Sequence, residues 1–314
     1  MAGLTAASSF TNEKVPRMRF FRRYPIAAIA LVLLVFIACS CVLGPWLLKL
    51  DGSQVSSLQF SPPTGAHWLG TDQLGRDVLA RILEGGRVSL LVGLSGAVMS
   101  LFIGTAYGLV SGYVGGRTDG IMMRAVEILY SVPRLIIILV LINAFDAHFQ
   151  AWLSTEGFSA LVPYSKIIIL IFSLGFIEWL SMARIVRGQV LSLKNQQFVM
   201  AARVLGQSHF VILARHLLPN LLGIVLIYLT LTIPAVILDE SFLSFLGLGI
   251  QAPQSSWGTL LSEGAQTINP IRSYWWLLFF PACTMSLCLL SLNFLGDALR
   301  DLIDPRQQTV KAGH

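Results

Sequence analysis

The 314 residues are 55% hydrophobic and only 12% charged, where a soluble domain is about 45–50% apolar and about 25% charged. Too little charge remains to clothe a water-soluble chain of this size, so most of its solvent is lipid. A formal charge of +6 would suggest nucleic acid as the partner of a soluble protein; in a membrane chain the distribution of the charge matters instead, and no nucleic acid is expected.

Residues 1–24 are polar and carry Lys14, Arg17, Arg19, Arg22 and Arg23, and residues 25–48 are almost wholly apolar. A signal peptide has a similar basic start but an apolar region of only about 7–15 residues. Ile37-Ala38-Cys39 faintly resembles a lipoprotein cleavage site, yet the apolar run continues far enough to cross a core of about 30 Å and is retained as helix one. Further apolar segments lie near 88–112, 120–142, 165–184, 221–245 and 275–296, each close to the roughly 20 residues a spanning helix needs. The second contains Gly93, Ser95, Gly96, Ser100, Gly104 and Gly108, small residues that let membrane helices pack closely. The expected fold is an all-α membrane protein with six transmembrane helices.

Charge sets the orientation. With residues 1–24 inside, Arg117, Arg124, Arg184, Arg187, Lys194, Arg203, Arg215, Arg300, Arg306 and Lys311 fall on the cytoplasmic side with the N-terminal cluster, as the positive-inside rule requires. Both termini are then cytoplasmic, with a membrane domain at 25–297 and a tail at 298–314. Outer loops cover about 49–87, 143–164 and 246–274; inner ones cover 113–119 and 185–220. In the first outer loop Ser61-Pro62-Pro63 is a rigid break, followed by a short helix around 76–83.

No catalytic constellation is present. The sequence lacks H-E-x-x-H and G-x-S-x-G, and His67, His148, His209, His216 and His314 are scattered. The nearest approach to a phosphate loop, residues 111–118, has Ser111 for the first glycine and Arg117 for the lysine, and it follows a membrane helix rather than a strand. Cys39, Cys41, Cys283 and Cys288 lie in apolar stretches without ligand spacing and are read as packing residues, with no disulfide or metal site expected.

The inner segment 196–220, QQFVMAARVLGQSHFVILARHLLPN, reads as short helix, turn, short helix and stop. Gly206 suits a left-handed helix end, Ser208 an N-cap, and Pro219 a hinge into helix five. Phe198, Ala201, Ala202 and Leu205 recur at helical spacing, as do Phe210, Leu213, Ala214 and Leu217. Such a segment either lies on the membrane surface as an amphipathic connector or docks a partner, with small Ala201 and Ala202 allowing close approach.

A-A-x-x-x-G followed by L-P at this spacing resembles the coupling loop of importer-type ABC permeases. Ala201, Ala202, Gly206, Leu218 and Pro219 match, with Arg203 and Ser208 inside the same stretch; Met200 stands where the family has a glutamate. Residues 67–77 (HWLGTDQLGRD), 182–189 (MARIVRGQ), 240–249 (ESFLSFLGLG), 256–258 (SWG) and Asp304-Pro305 resemble oligopeptide and dipeptide permeases, most of all their C-type subunit, over nearly the whole chain after residue 20. The stretch 148–164 is longer than usual for that family.

Several charges interrupt the apolar segments: Arg134, Glu178, Asp239, Glu240 and Asp297. A charge at the bilayer centre costs about 2.5–3.5 kcal/mol and normally faces a bundle interior, a cavity or a partner. Asp239 and Glu240 lie toward the outer end of helix five, as candidates for an outer gate; Glu178 and Arg134 are candidates for buried pairing, with the partners open. Pro133 and Gly175 relax helix regularity where helices would move.

The resemblance implies a type I ABC importer permease in the bacterial inner membrane. It implies a second homologous permease subunit, two cytosolic ATPases that hold ATP and magnesium, and a periplasmic or extracellular substrate-binding protein, with peptide passing by alternating access. On this reading the chain binds no cofactor and catalyses nothing. Permeases for nickel chelates, glutathione or cationic peptides share these motifs. A proton-coupled carrier would place ionisable residues at mid-membrane and show internal repeats, and a purely structural membrane subunit would purify without an ATPase.

Overall fold

The computed structural model describes residues 25–268 and 272–303. The basic segment 1–24 and Asp304-Pro305, Arg306 and Lys311 lie outside the described residues. In chain order the helices are α1 (Pro25–Leu47), α2 (Val78–Val114), α3 (Gly116–Ser131), α4 (Arg134–Thr155), α5 (Ser165–Leu193), α6 (Gln197–Val204), α7 (Leu218–Phe245), α8 (Trp257–Gln266) and α9 (Trp276–Ile303). Six helical spans are long and apolar enough to cross a membrane, and no named strand occurs among the described residues. The crossings alternate, so Gly115 and residues 194–208 share one end of the bundle, and Gly70 and residues 246–256 share the other.

Helix bounds differ from the sequence expectation where polar residues sit in helices. α2 begins at Val78 rather than near 88: Asp77 caps it by accepting from the Ala80 amide at 3.0 Å, and the short helix expected around 76–83 is its first turns. The charges that made this stretch look like loop are paired off. The expected loop 143–164 is largely the end of α4, where Gln150 bonds Asp146 at 2.9 Å. Gly157 at φ +81° then closes the helix, with the Phe158 amide on the Leu153 carbonyl at 2.9 Å. α5 runs on to Leu193.

The expected helix at 120–142 is broken in its middle. Val132 at ψ 132° is the extended residue that a following proline imposes, so the helix is interrupted there and α4 alone has the length and apolarity to cross. At the heart of the bundle α2 is wedged between α5 and α7. A Cβ on Gly104 would lie 2.5 Å from that of Met182, and one on Gly108 would lie 2.5 Å from the Ala183 carbonyl oxygen. Glycine at these positions therefore sets the helix separation. α1 and α9 flank this core around Cys41, Trp257 and Cys288, and all four cysteines are free.

Candidate coupling segment and charged clusters

α6 rests on the bundle through Val199 and Ala202, buried with Tyr113, Val190, Ile212 and Leu217. Its end is a left-handed turn: Gly206 has φ +73°, its amide reaches the Arg203 carbonyl at 3.0 Å, and the Gln207 amide reaches that of Ala202 at 3.1 Å. Ser208 then caps the next helix by accepting from the Val211 amide at 3.4 Å. Pro219 does not break the chain. It lies in the first turn of α7, after a π-helical turn at Ile212–Leu217, a widened turn of the kind that recurs at functional sites.

The side-chain directions correct the expected docking face. Ala202 points into the bundle at 3% exposure, and Ala201 points out. Val204, Leu205 and Phe210 stand clear at 87%, 78% and 76% exposure. A short helix with apolar residues at most of its positions leaves the choice between Ala201 and Ala202 open in the sequence; attachment at both ends makes it. The attachments are specific. Tyr113, in the last turn of α2, bonds His209 Nδ1 at 2.8 Å, and the Arg203 guanidinium lies 5.3 Å from the same ring. His216 Nε2 meets Gln207 Oε1 at 2.7 Å.

A second tie at this end was not legible in the sequence. Asp119, on the first turn of α3, takes a bidentate pair from Arg187 at 2.5 and 2.6 Å and the Ser111 hydroxyl at 2.5 Å. Those hydrogen bonds, Arg187 foremost, hold the Asp119 carboxyl below its ordinary 3.8 against the opposing pull of desolvation. Lys194 Nζ donates to the Gly112 carbonyl at 2.8 Å. The ends of α2, α3 and α5 thus form one braced base beneath the exposed segment.

The intramembrane charges fall into two separate groups. Arg134 lies between two carboxylates, with Nη1 3.3 Å from Glu178 and Nη2 2.8 Å from Asp239; the second oxygen of Asp239 has no hydrogen-bond partner. Asp239 thereby joins the pair that the sequence left without partners. Glu240, its neighbour, faces away and is fully enclosed. It accepts the hydroxyls of Ser89 at 2.9 Å, Ser241 at 3.2 Å and Ser244 at 2.7 Å. Ser89 in turn accepts from the Trp257 amide at 3.2 Å, and Ser244 from the Ile250 amide at 3.0 Å. Expected near a gate, Glu240 lines no open path in this conformation; it pins α8 and the loop before it to α2 and α7. Asp297 is exposed on α9.

At the Gly70 end, residues 67–77 fold over the start of α2. Asp72 accepts from Arg76 Nε at 2.7 Å and Arg81 Nη1 at 2.9 Å, and Arg81 makes a bidentate pair with Glu263 on α8. Trp276 on α9 donates to the Thr71 carbonyl at 3.3 Å. Sequence reasoning missed this clasp because Glu263 lies far along the chain from Arg81.

A multi-crossing helical protein with an exposed, tethered helix–turn–helix at one end and paired charges buried within its span is built as a membrane transport subunit. The chain belongs to the family of binding-protein-dependent transport system inner membrane components, whose family model matches residues 104–309. It is 44% identical over 297 residues to an oligopeptide transport system permease protein of Haemophilus influenzae, covering 93% of this chain and 88% of that one. Identity is 42% over 299 residues to a dipeptide transport system permease protein of Bacillus subtilis, with 95% and 86% covered. It is also 42% over 293 residues to an oligopeptide transport system permease protein of Escherichia coli, with 92% and 90% covered. The protein is a multi-pass component of the bacterial inner membrane and of a binding-protein-dependent importer.

Proposed function

We propose that this chain is the permease subunit of an ATP-driven peptide importer, passing oligopeptides or dipeptides by alternating access. It pairs with a second, homologous permease, sits on two cytosolic ATPases that hold the ATP and magnesium, and receives substrate from a binding protein at the Gly70 end. Both termini and the 194–208 end face the cytoplasm, in keeping with the basic residues there. The chain itself catalyses nothing and binds no cofactor. Names of its relatives support peptide over nickel chelates or glutathione as cargo.

The observation that carries the reading is segment 197–217, which offers exposed apolar side chains to a partner while Tyr113 fastens it to α2. Ala201, Ala202, Arg203, Gly206 and Ser208 make up its frame, and Leu218 and Pro219 join it to α7. An ATPase closing beneath it would push on α2 and α7 together. The test is ATP-driven peptide uptake in proteoliposomes holding the co-expressed complex, wild type against Gly206→Pro. Proline fixes φ near −65° and has no amide proton, so it cannot take the φ of +73° or the bond to Arg203. Uptake is lost while the complex still assembles; unchanged uptake sinks the lever, and uptake driven by a proton gradient without ATP moves the protein to the carrier class.

A further inference from the structure

We infer that Arg134 and Arg184 form a carboxylate-binding step in the wall of the translocation path, one that receives the C-terminal carboxylate of a passing peptide. The inference rests on the permease reading and gives the substrate end that this wall recognises.

Depth comes first. Glu178 lies near the middle of α5, roughly 20 Å from either end at 1.5 Å per residue, so the cluster it shares with Arg134 falls within the hydrocarbon span. Yet the Arg134 side chain is 54% exposed, while Glu178 and Asp239 are at 11% and 6%. A guanidinium left half open at that depth does not face lipid; it faces water or protein. It opens onto a cavity of about 250 Å³ lined by Tyr130, Pro133, Ile137 and Ser181.

Charge within the cavity is directional. The exposed Arg184 guanidinium stacks 3.8 Å over the Tyr130 ring. Arg134 and Glu178 both line the cavity, with Arg184 beside it against Tyr130 and Asp239 behind. The guanidinium of Arg134 is far more open than either carboxylate, so the charge most available to the open space is positive. A guanidinium has five N–H donors, and the two contacts to Glu178 and Asp239 leave others free for a bidentate carboxylate. The break at Val132 and Pro133 adds to this. It starts α4 at Arg134; the Ile136 and Ile137 amides turn back to the Pro133 carbonyl at 2.9 and 3.4 Å, while those of Arg134 and Leu135 have no acceptor within the helix, and the helix dipole favours an anion there. The Tyr130 and Ser181 hydroxyls, 2.5 Å apart, complete the wall. An ammonium group entering here meets the cationic side first and is disfavoured.

The experiment compares ATP-driven uptake of a peptide and of the same peptide with an amidated C-terminus, in proteoliposomes holding the complete transporter and its binding protein. Wild type takes up the free acid in preference. In the double variant Arg134→Gln/Asp239→Asn, which removes one charge of each sign and so keeps the cluster's net charge, the acid-to-amide ratio falls by about tenfold, the value of one charge-assisted pair. The binding protein is common to both, so the change belongs to this chain. An unchanged ratio, or equal uptake of both forms by wild type, overturns the inference; failure of wild type to take up either form with ATP overturns the permease reading instead. If the double variant does not assemble, Ser181→Cys, in a background where the exposed Cys39 and Cys283 are replaced by serine, keeps Arg134, Arg184, Glu178 and Asp239 in place. A membrane-impermeant thiol reagent then labels it, more slowly with the free acid present than with the amide. No labelling, or equal protection by both, overturns the inference.

Discussion

Asp119 holds two helices through one carboxylate. Because the folded state lowers its pKa, its contribution is complete above the ordinary value of 3.8 and is lost as pH falls through the lower folded value. Asp119→Asn should cost about 1–2 kcal/mol at neutral pH, since a bidentate arginine loses its charged acceptor. Thermal unfolding in detergent should show that difference constant from neutral pH down to weak acid and shrinking below 3.8. Gly108 tests a different physics at the same scale. A valine side chain placed there would be forced onto the Ala183 carbonyl oxygen, which is backbone and cannot turn aside. Gly108→Val should lower the melting temperature by an amount equivalent to about 1–3 kcal/mol, with the complex dissociating at lower temperature than wild type.

Single elements are anchored by single side chains. Glu240 is the acceptor at which the hydroxyls of Ser89, Ser241 and Ser244 converge, and Ser89 and Ser244 hold the Trp257 and Ile250 amides. Glu240→Ala should leave this group of buried donors unsatisfied and free α8 from α2 and α7, a loss of about 1–3 kcal/mol for each donor left unpaired. Glu240→Gln keeps an acceptor oxygen and should cost less. Amide hydrogen exchange across residues 250–266 measures the difference: protection should drop in the alanine variant and largely survive in the glutamine variant. Equal protection in both would mean that packing by Trp257 holds α8 without the carboxylate.

At the scale of the molecule, force applied to segment 197–217 has a side-chain route into α2 through Tyr113 and His209. Tyr113→Phe removes the hydroxyl and keeps the ring under Arg203. In the assembled transporter it should leave ATPase activity near wild type while lowering the peptide carried per ATP several-fold, the signature of a slipped linkage rather than a lost subunit. ATPase and uptake falling in proportion would instead place Tyr113 in assembly.

Six crossings, their order and the helix–turn–helix at 197–217 were legible because hydrophobic length and glycine or serine punctuation are local properties of the chain. Gly206 and Ser208 adopt the turn and cap that their chemistry suggested. Polar helix ends were not legible: charges at Arg81 and Glu84 and the polar run at Asp146–Gln150 look like loop until their partners are in place. Nor could sequence divide neighbours such as Asp239 and Glu240, or Ala201 and Ala202, between opposite faces, because helix phase within a uniformly apolar stretch is fixed by what packs against it. The sequence by itself determined that this chain crosses a membrane in six helices, since burying that much apolar length in lipid needs no knowledge of neighbours. Only the tertiary structure decided which charges meet, because Arg134, Glu178 and Asp239 come from three helices whose relative placement is set by packing between elements distant in the chain.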